Sequence, residues 1–254
     1  PPCATQNPGF NSLLNNNSTK VVAIKYQTDW PGYDPMNVQT AALVQQRVNY
    51  YHPDSVGVPY AVMDGVPQAG STLSYLGAPG NWTQTKLNAR AIVMSPFTLV
   101  VTHTLNTSLD SIFITVDISC TQAVSGTLVA HVVVIERDIV FCQPPGSNGE
   151  MDFEGVMRDM LPNASGTNLA GSWTVGQLQT LTFKAAVKSY VYDKNELAVV
   201  AFIQDNQFCH FPTCTTVSSV LQAAYSATQP MAVDSRLGCG ALGNPSINCG
   251  ATWT

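Results

Sequence analysis

The sequence predicts a mixed α+β fold, in which a helix-containing first part is followed by a β-rich second part. Apolar residues recur at helical spacing in the first part of the chain, and after residue 95 they change to the alternation typical of strands. Apolar residues also make up 45% of the 254 residues. That share supplies a buried core and excludes wholesale disorder.

The low content of charged residues and the negative net charge exclude some classes of function. Only 11% of the residues are charged, against about 25% in a typical soluble domain, and 11 basic and 16 acidic residues give a net charge of −5. Such a surface presents no basic stripe, which excludes electrostatic binding of nucleic acid. The polar surface must come from Asn, Gln, Ser and Thr, as in secreted or cell-surface β-rich proteins. No run of about 18 apolar residues predicts a membrane-spanning helix, and the start without Met predicts a processed or truncated chain.

The first part of the chain reads as alternating helices and short strands. A proline-flanked loop precedes the second helix, for which Asn37 is the expected cap, and an Asp-Gly turn ends the second strand. The predicted elements are a helix over 4–15, a strand over Val21–Tyr26, a helix over Asn37–Tyr51, a strand over 56–65 and a helix over Asn81–Met94.

The second part predicts an antiparallel sandwich, because strand-like segments recur at regular intervals with turn residues between them. One helical insert, Asp152–Met160, interrupts them. We expect three regions: an α/β domain over 1–95, the sandwich over 96–226, and a Cys/Gly-rich tail over 227–254. The predicted strands are Phe97–Leu105, Ser111–Cys120, Thr127–Arg137, Leu178–Lys188, Glu196–Gln204 and Ser219–Ser226.

The seven cysteines are typical of a protein from an oxidising compartment, because several form close pairs in loop-rich sequence. Cys120 and Cys142 each end a predicted strand, and Cys3 is left unpaired. A zinc site is the rival interpretation, but the spacings lack the Cys-x-x-Cys pairs of zinc ribbons. We therefore expect no metal and no cofactor. The expected disulfides are Cys209–Cys214, Cys239–Cys249 and Cys120–Cys142.

The order of elements in the first part resembles that of a thioredoxin-like domain. Pro1-Pro2-Cys3 would be the last three positions of a Cys-x-x-Cys motif, and Val58-Pro59 stands at the position of the cis-proline. In such domains the first Cys attacks as a thiolate at a helix N-terminus and the second resolves the mixed disulfide. Here Cys3 has the resolving position, and the attacking Cys and the preceding strand are absent. The alternative is that Pro-Pro-Cys is only a fragment and Pro59 an ordinary strand-entry proline.

Three blocks of sequence carry a more specific resemblance. The first block contains 34–37, 47–51 and 56–65, the second 150–153, 156–162 and 166–167, and the third 199–205 and 220–225. Together they resemble the bacterial "outer membrane protein twenty-eight" related family, from Pro1 to about Ser226. The resemblance implies a secreted or surface protein with a thioredoxin-like N-terminal half and a β-sandwich C-terminal half.

Two functions remain open on the sequence alone. The first is a non-catalytic structural or binding role outside the cytoplasm, through protein partners or self-association, for example as a subunit of an extracellular assembly or filament. The second is a periplasmic or surface thiol–disulfide oxidoreductase whose attacking Cys precedes Pro1. The candidate catalytic residues for this second role are Cys3 and Pro59. Since only Cys3 is present, we expect no repeated disulfide exchange by the chain as written.

Overall fold

The computed structural model describes residues 2–55, 57–65, 75–206 and 219–226 of the chain. These residues form helices α1 (Pro2–Asn15), α2 (Pro35–Tyr51) and α3 (Gln84–Ala91). The strands are β1 Ala61–Val62, β2 Leu76–Gly77, β3 Phe97–Leu105, β4 Ser111–Cys120, β5 Val124–Ser125, β6 Leu128–Val140, β7 Asp152–Leu161, β8 Thr167–Asn168, β9 Ser172–Trp173, β10 Leu178–Ala186, β11 Leu197–Asp205 and β12 Val220–Tyr225. The predicted mixed α+β fold is confirmed.

The β-rich part contains two antiparallel sheets. One has the order β10-β4-β3, and the other has the order β12-β11-β6-β7 with β8 paired to β6. Buried side chains of both sheets share one hydrophobic core, in which Trp173 packs edge-on against Phe97 with the ring centroids 5.3 Å apart. The six strands that propensity and alternation predict in this part all occur in these sheets, as β3, β4, β6, β10, β11 and β12.

The larger sheet is buried on both faces. Val132 and Val134 of β6 belong to the core shared with the smaller sheet, whereas Val133 and Ile135 belong to a second core on the opposite face. Side chains of α2, including Val44, complete this second core. Since successive strand residues point to opposite faces, burial of both faces explains the apolar run Val132–Ile135 in β6.

Helix α2 begins two residues earlier than the sequence predicts. Its N-cap is Asp34, whose carboxylate accepts hydrogen bonds from the backbone N–H groups of Met36 and Asn37. The expected cap, Asn37, lies inside the helix, where its side-chain amide donates to the carbonyl oxygen of Gln27 at 2.8 Å. The cap thus satisfies two of the orphan N–H groups at the helix start.

The predicted helical insert over Asp152–Met160 is wrong, because these residues form strand β7. The error has a physical cause. Phe153, Val156, Met157 and Met160 recur at helical spacing, but the pairing of β7 with β6 contains a register shift opposite Val134 and Ile135. A bulge changes which face the following residues occupy, so it disguises the period of two.

The predicted strands of the first part are shorter than expected. Residues Val21–Tyr26 are extended, and with the described residues they form one bridge, a parallel one between Lys25 and Val156 of β7. Of the expected strand over 56–65, the described residues form a strand at Ala61–Val62, which pairs with β2. The tail over 227–254 lies outside the described residues.

Candidate functional site

A deep groove of about 750 Å³ lies in the first part of the chain. Two extended segments run along it, residues 21–28 and residues 58–65, which we name the first wall and the second wall. Side chains of all three helices complete the lining, for example Phe10, Arg47 and Leu87. A groove of this volume and lining is a typical ligand site.

Among the described residues, the first wall hydrogen-bonds to the sandwich along one edge. The Lys25 N–H donates to the Gly155 carbonyl oxygen at 2.8 Å, and the Lys25 carbonyl accepts from the Met157 N–H at 2.9 Å. Gly155 has φ +65°, a conformation that favours glycine, at the point where the wall approaches β7. In a strand the backbone N–H and C=O groups of alternate residues point to opposite edges. The backbone polar groups of Ile24 and Tyr26, on either side of Lys25, therefore point away from β7.

Among the described residues, the edge of the first wall that points away from β7 has no hydrogen-bond partner. The backbone N–H and C=O groups of Val22, Ile24 and Tyr26 make no hydrogen bond with any described residue. Every residue from 21 to 28 is half-buried, without the alternation of a paired surface strand. The backbone therefore offers a row of donors and acceptors to whatever enters the groove.

In the second wall, too, the backbone polar groups of alternate residues point to opposite edges. Ala61 pairs with Gly77, and the Met63 N–H donates to the Tyr75 carbonyl at 2.9 Å, so these residues direct their polar groups to β2. By alternation, Tyr60 and Val62 direct theirs away from β2, and those groups have no partner within the described residues. Among the described residues, Tyr60 and Val62 thus keep unpaired backbone groups on the same edge at which the Asp64 carbonyl oxygen accepts from the Val220 N–H at 2.6 Å.

Two buried indole N–H groups add further unused donors. Trp30 and Trp82 both line the groove, and the Nε1 atom of each is buried without a hydrogen-bond partner among the described residues. The Trp82 ring is held by an edge-on contact with Phe10, with ring centroids 5.2 Å apart. Buried unpaired donors are rare in proteins, and a bound ligand is one way to satisfy them.

The structure brings the two sequence-predicted candidates to the same groove, because Cys3 and Pro59 both line it. The Val58–Pro59 peptide bond is cis, as predicted. Cys3 is half-buried in the first turn of α1, and burial together with the negative charge of Glu150 raises the pKa of its thiol. This direction is opposite to that of an activated thiolate.

The predicted Cys120–Cys142 disulfide is wrong, because Cys120 is a buried free thiol. Its Sγ donates to the Gln122 carbonyl oxygen at 3.2 Å. Cys142 is disulfide-bonded, but not to Cys120. Consecutive strands run in opposite directions, and the 13 residues of β6 span about 40 Å between the turn after β4 and the segment that contains Cys142. The other four disulfide candidates lie outside the described residues: Cys209, Cys214, Cys239 and Cys249.

Sequence reasoning missed a buried cation beside the groove. Arg47 of α2 donates from Nη2 to the Tyr51 hydroxyl at 2.8 Å and to Oε1 of Gln204 at 3.2 Å. Its guanidinium also lies 5.6 Å from the centroid of the Phe202 ring, on which His131 stacks. Burial, with Arg47 close by, lowers the pKa of His131 to about 3. The amphipathic pattern of α2 indicates an apolar face but gives no sign of an arginine within it.

Within the described ranges, no group of three or more His, Cys, Asp or Glu side chains is arranged to hold a metal ion. The same ranges contain no helix that is both long and apolar enough to cross a membrane.

Comparison with known proteins supports the fold. No family model matches the chain, and no curated protein matches it. Among solved structures, HBP35 of Porphyromonas gingivalis aligns with a TM-score of 0.55 and 15% identity, over 90% of this chain and 75% of its own. The β-glucosidase from Kluyveromyces marxianus in complex with glucose covers 53% of this chain and 14% of its own at 10% identity, and its TM-score of 0.24 carries no argument. At 15% identity, the likeness to HBP35 shows that the two chains share a mixed α+β fold.

Proposed function

We propose that this chain is a secreted or surface-exposed bacterial protein with a non-catalytic role, and that its groove binds a segment of a partner protein. The sequence blocks that resemble the "outer membrane protein twenty-eight" related family support the location outside the cytoplasm. A subunit of an extracellular assembly or filament is one version of this role, in which the partner is another copy of the chain.

The observation that carries the binding role is the groove with an apolar rim. Immediately after α3, the side chains of Ile92, Val93 and Met94 are 81%, 54% and 84% exposed, and the last two line the groove. Contiguous exposed apolar residues beside a concave site are typical of an interaction surface. Chemistry at the site has weaker support, because the one candidate nucleophile, Cys3, has a raised thiol pKa.

The binding role can be tested with a fluorescent unfolded polypeptide of zero net charge, titrated with the chain and followed by anisotropy. We expect saturable binding that Met94→Asp weakens about tenfold, because a carboxylate at the rim must be desolvated when the partner docks. Leu178→Asp is the matched control, since Leu178 is 72% exposed on β10, outside the groove lining. Absence of binding, or equal loss in both variants, contradicts the proposal.

The location can be tested separately in the source cells. A secreted or surface protein is digested by protease added to intact cells, or is found in the medium, whereas a cytosolic marker stays intact. Protection equal to that of the marker contradicts this half of the proposal.

A thiol–disulfide oxidoreductase is the second candidate, because Cys3 and Pro59 line the same groove. Turnover requires an attacking and a resolving thiol within one helical turn, and the chain supplies only Cys3 there. Insulin reduction by the chain, abolished by Cys3→Ser, would favour this function over the binding role. A version with Cys added before Pro1 serves as the control, since turnover by that version alone shows a competent scaffold that lacks its nucleophile.

A further inference from the structure

Strand β10 lies at one edge of the three-stranded sheet and pairs with β4 in a single unbroken register. At one end of this register the Cys120 N–H donates to the Gln177 carbonyl oxygen at 2.9 Å. At the other end the Val187 N–H donates to the Asp110 carbonyl oxygen at 2.8 Å. Since backbone groups alternate between the two edges of a strand, the odd-numbered residues of β10 direct theirs to β4, and the even-numbered residues direct theirs away from it.

The outer edge of β10 is therefore open to a further strand. The backbone N–H and C=O groups of Thr180, Thr182 and Lys184 have no partner among the described residues. The core-facing side chains of Leu181 and Phe183 are only partly buried, although they pack against the sandwich core. On the doubly paired strand β4, the core-facing isoleucine and valine side chains are 1–2% exposed. A further strand beside β10 would satisfy the backbone groups and complete this burial.

Strand β10 has few of the features that keep an exposed edge from pairing. It contains no proline, no glycine and no bulge, and Lys184 is its one charged residue. Monomeric proteins commonly protect their edge strands with such features. The Lys184 ammonium lies 5.4 Å from the ring centroid of Phe113 on β4, so it is directed back over its own sheet. A nine-residue edge without protection is typical of a strand that has a partner.

A second copy of β10 fits this edge. Thr182 is the central residue of β10, so two antiparallel copies overlap along their whole length when Thr182 lies opposite itself. This register pairs even-numbered residues with even-numbered ones, for example Thr180 with Lys184, so the outward-directed backbone groups of both copies meet. On the core side Leu181 lies opposite Phe183, and these apolar pairs connect the two sandwich cores.

The charges of the sheet face are complementary in the same register. Lys184 of each copy lies opposite Thr180 of the other, and the Thr180 hydroxyl donates to Oδ1 of Asp117 at 2.6 Å. Lys184 and Asp117 of the other copy thus belong to one row across the paired strands. Their Cα atoms are about 10 Å apart, within the combined reach of the two side chains. The two Lys184 residues are about 14 Å apart along the strands, so their repulsion is largely screened.

We infer that β10 pairs edge to edge with β10 of a second copy, in an antiparallel register centred on Thr182. The pairing joins the two three-stranded sheets into one continuous sheet. It closes a two-fold symmetric dimer, because both copies use the same edge. This interface lies on the sandwich, outside the groove lining. The inference therefore goes beyond the binding role proposed above and does not depend on it.

The test measures the association state of the full 254-residue chain by sedimentation velocity over a range of concentrations. We expect a monomer–dimer equilibrium that Thr182→Lys weakens at least about tenfold, because two ammonium groups then lie directly opposite each other at the two-fold axis. Thr102→Lys is the matched control. Thr102 is exposed on the same sheet face and in the same row, but on β3. This control should change the dissociation constant by less than about twofold.

A pair of opposite charges tests the register. Thr182→Glu alone should weaken the dimer for the same reason as Thr182→Lys. An equimolar mixture of the two variants should dimerise at least about tenfold more tightly than either variant alone, because opposite charges then face each other. A variant that has merely lost its fold gives no such rescue.

Amide exchange locates the interface along the chain. As the dimer forms, exchange should slow at Thr180, Thr182 and Lys184, whose N–H groups point to the open edge. It should change little at Leu181 and Phe183, whose N–H groups already point to β4. Association through the sheet face or through the groove would not produce this alternation.

Three outcomes would overturn the inference. The first is a chain that stays monomeric up to about millimolar concentration. The second is a dimer that Thr182→Lys and Thr102→Lys weaken equally, or not at all, since the interface then lies elsewhere. The third is slow exchange at Thr182 in the monomer, which would show that the chain covers this edge itself. None of these outcomes bears on polypeptide binding by the groove.

Discussion

The two parts of the molecule use extended chain in different ways. In the sandwich, each residue from Ile112 to Ser119 of β4 is paired with both β3 and β10. Among the described residues of the α/β part, the β-branched segment Val21–Tyr26 has one bridge, and the second wall forms one two-residue strand paired with β2. The difference teaches that β-propensity sets the extended conformation, whereas a partner at the right distance decides whether a strand forms.

The largest expected effect lies where the two parts meet. Arg158 of β7 is fully buried, with its Nε 3.2 Å from Oε2 of Glu136, and it also donates to Oε1 of Gln39 in α2 at 2.6 Å. Arg158→Leu leaves an uncompensated buried carboxyl group, so we expect a loss of about 3–5 kcal/mol in the free energy of unfolding. Chemical denaturation measures it.

The double variant Glu136→Leu/Arg158→Leu is the control for this prediction, because it removes both buried charges. It should recover most of the lost stability. A single variant as stable as the parent chain would show that the pair contributes nothing to the junction of the two parts.

A matched pair of isoleucines measures the contrast between the two parts directly. Ile203 of β11 is completely buried in the sandwich core, whereas Ile24 is partly buried beside the groove. We expect Ile203→Ala to cost about 2–5 kcal/mol and Ile24→Ala about 1 kcal/mol, since less apolar surface is lost. Equal losses in urea denaturation would mean that the first wall is as tightly packed as the sandwich.

The acidic residues of β6 predict a pH dependence. Burial and the neighbouring Asp152 raise the pKa of Asp138 to about 7. Because the folded-state pKa exceeds that of the unfolded chain, the group stabilises the fold below pH ~4, and this contribution disappears as the pH rises through 7. Asp138→Asn should therefore stabilise the fold above pH 7, on the order of 1 kcal/mol after allowance for solvent screening.

Thermal unfolding between pH 5 and 8 checks this prediction. Asp117→Asn, at an exposed position of β4, is the control, and it should leave the shape of the pH profile unchanged. A parallel shift of the whole profile in Asp138→Asn, without a change of slope, would argue against the assignment.

The smallest effect concerns Cys3 and Cys120, the free thiols among the described residues. Cys3→Ser should change stability by less than about 0.5 kcal/mol, because the side chain is only half-buried. In the folded chain an alkylating reagent should modify Cys3 slowly at pH 7, since its raised thiol pKa leaves little thiolate, and should not reach the buried Cys120. Rapid modification of Cys3 at neutral pH would reopen the redox interpretation.

Much of the sandwich could be predicted from the sequence because its strands carry local signals. The predicted bounds of β3 and β4, Phe97–Leu105 and Ser111–Cys120, match the structure. The sequence predicts a helix in place of strand β7 because the bulge is set by pairing with β6, which a local period does not report. The wrong Cys120–Cys142 disulfide has the same cause. The position of a cysteine at the end of a predicted strand does not indicate at which end of the sheet it lies.

The candidate site could be predicted only in part. The order of elements points to Cys3 and Pro59, and both line the groove. The unpaired edges of Ile24 and Val62 follow from contacts between segments far apart in the chain, and no local pattern indicates them. Trp82 similarly acquires its role from the helix contact with Phe10.

The two-faced burial of β6 and β11 has a consequence for fragment design. If the chain were cut near residue 95, the released sandwich would keep one core but expose Val133, Ile135, Val200 and Phe202 as an unprotected apolar sheet face. A soluble version of that fragment would need polar replacements on this face, at alternate positions of the two central strands. The α/β part therefore serves the sandwich as a solubilising cover, whatever it binds in its own groove.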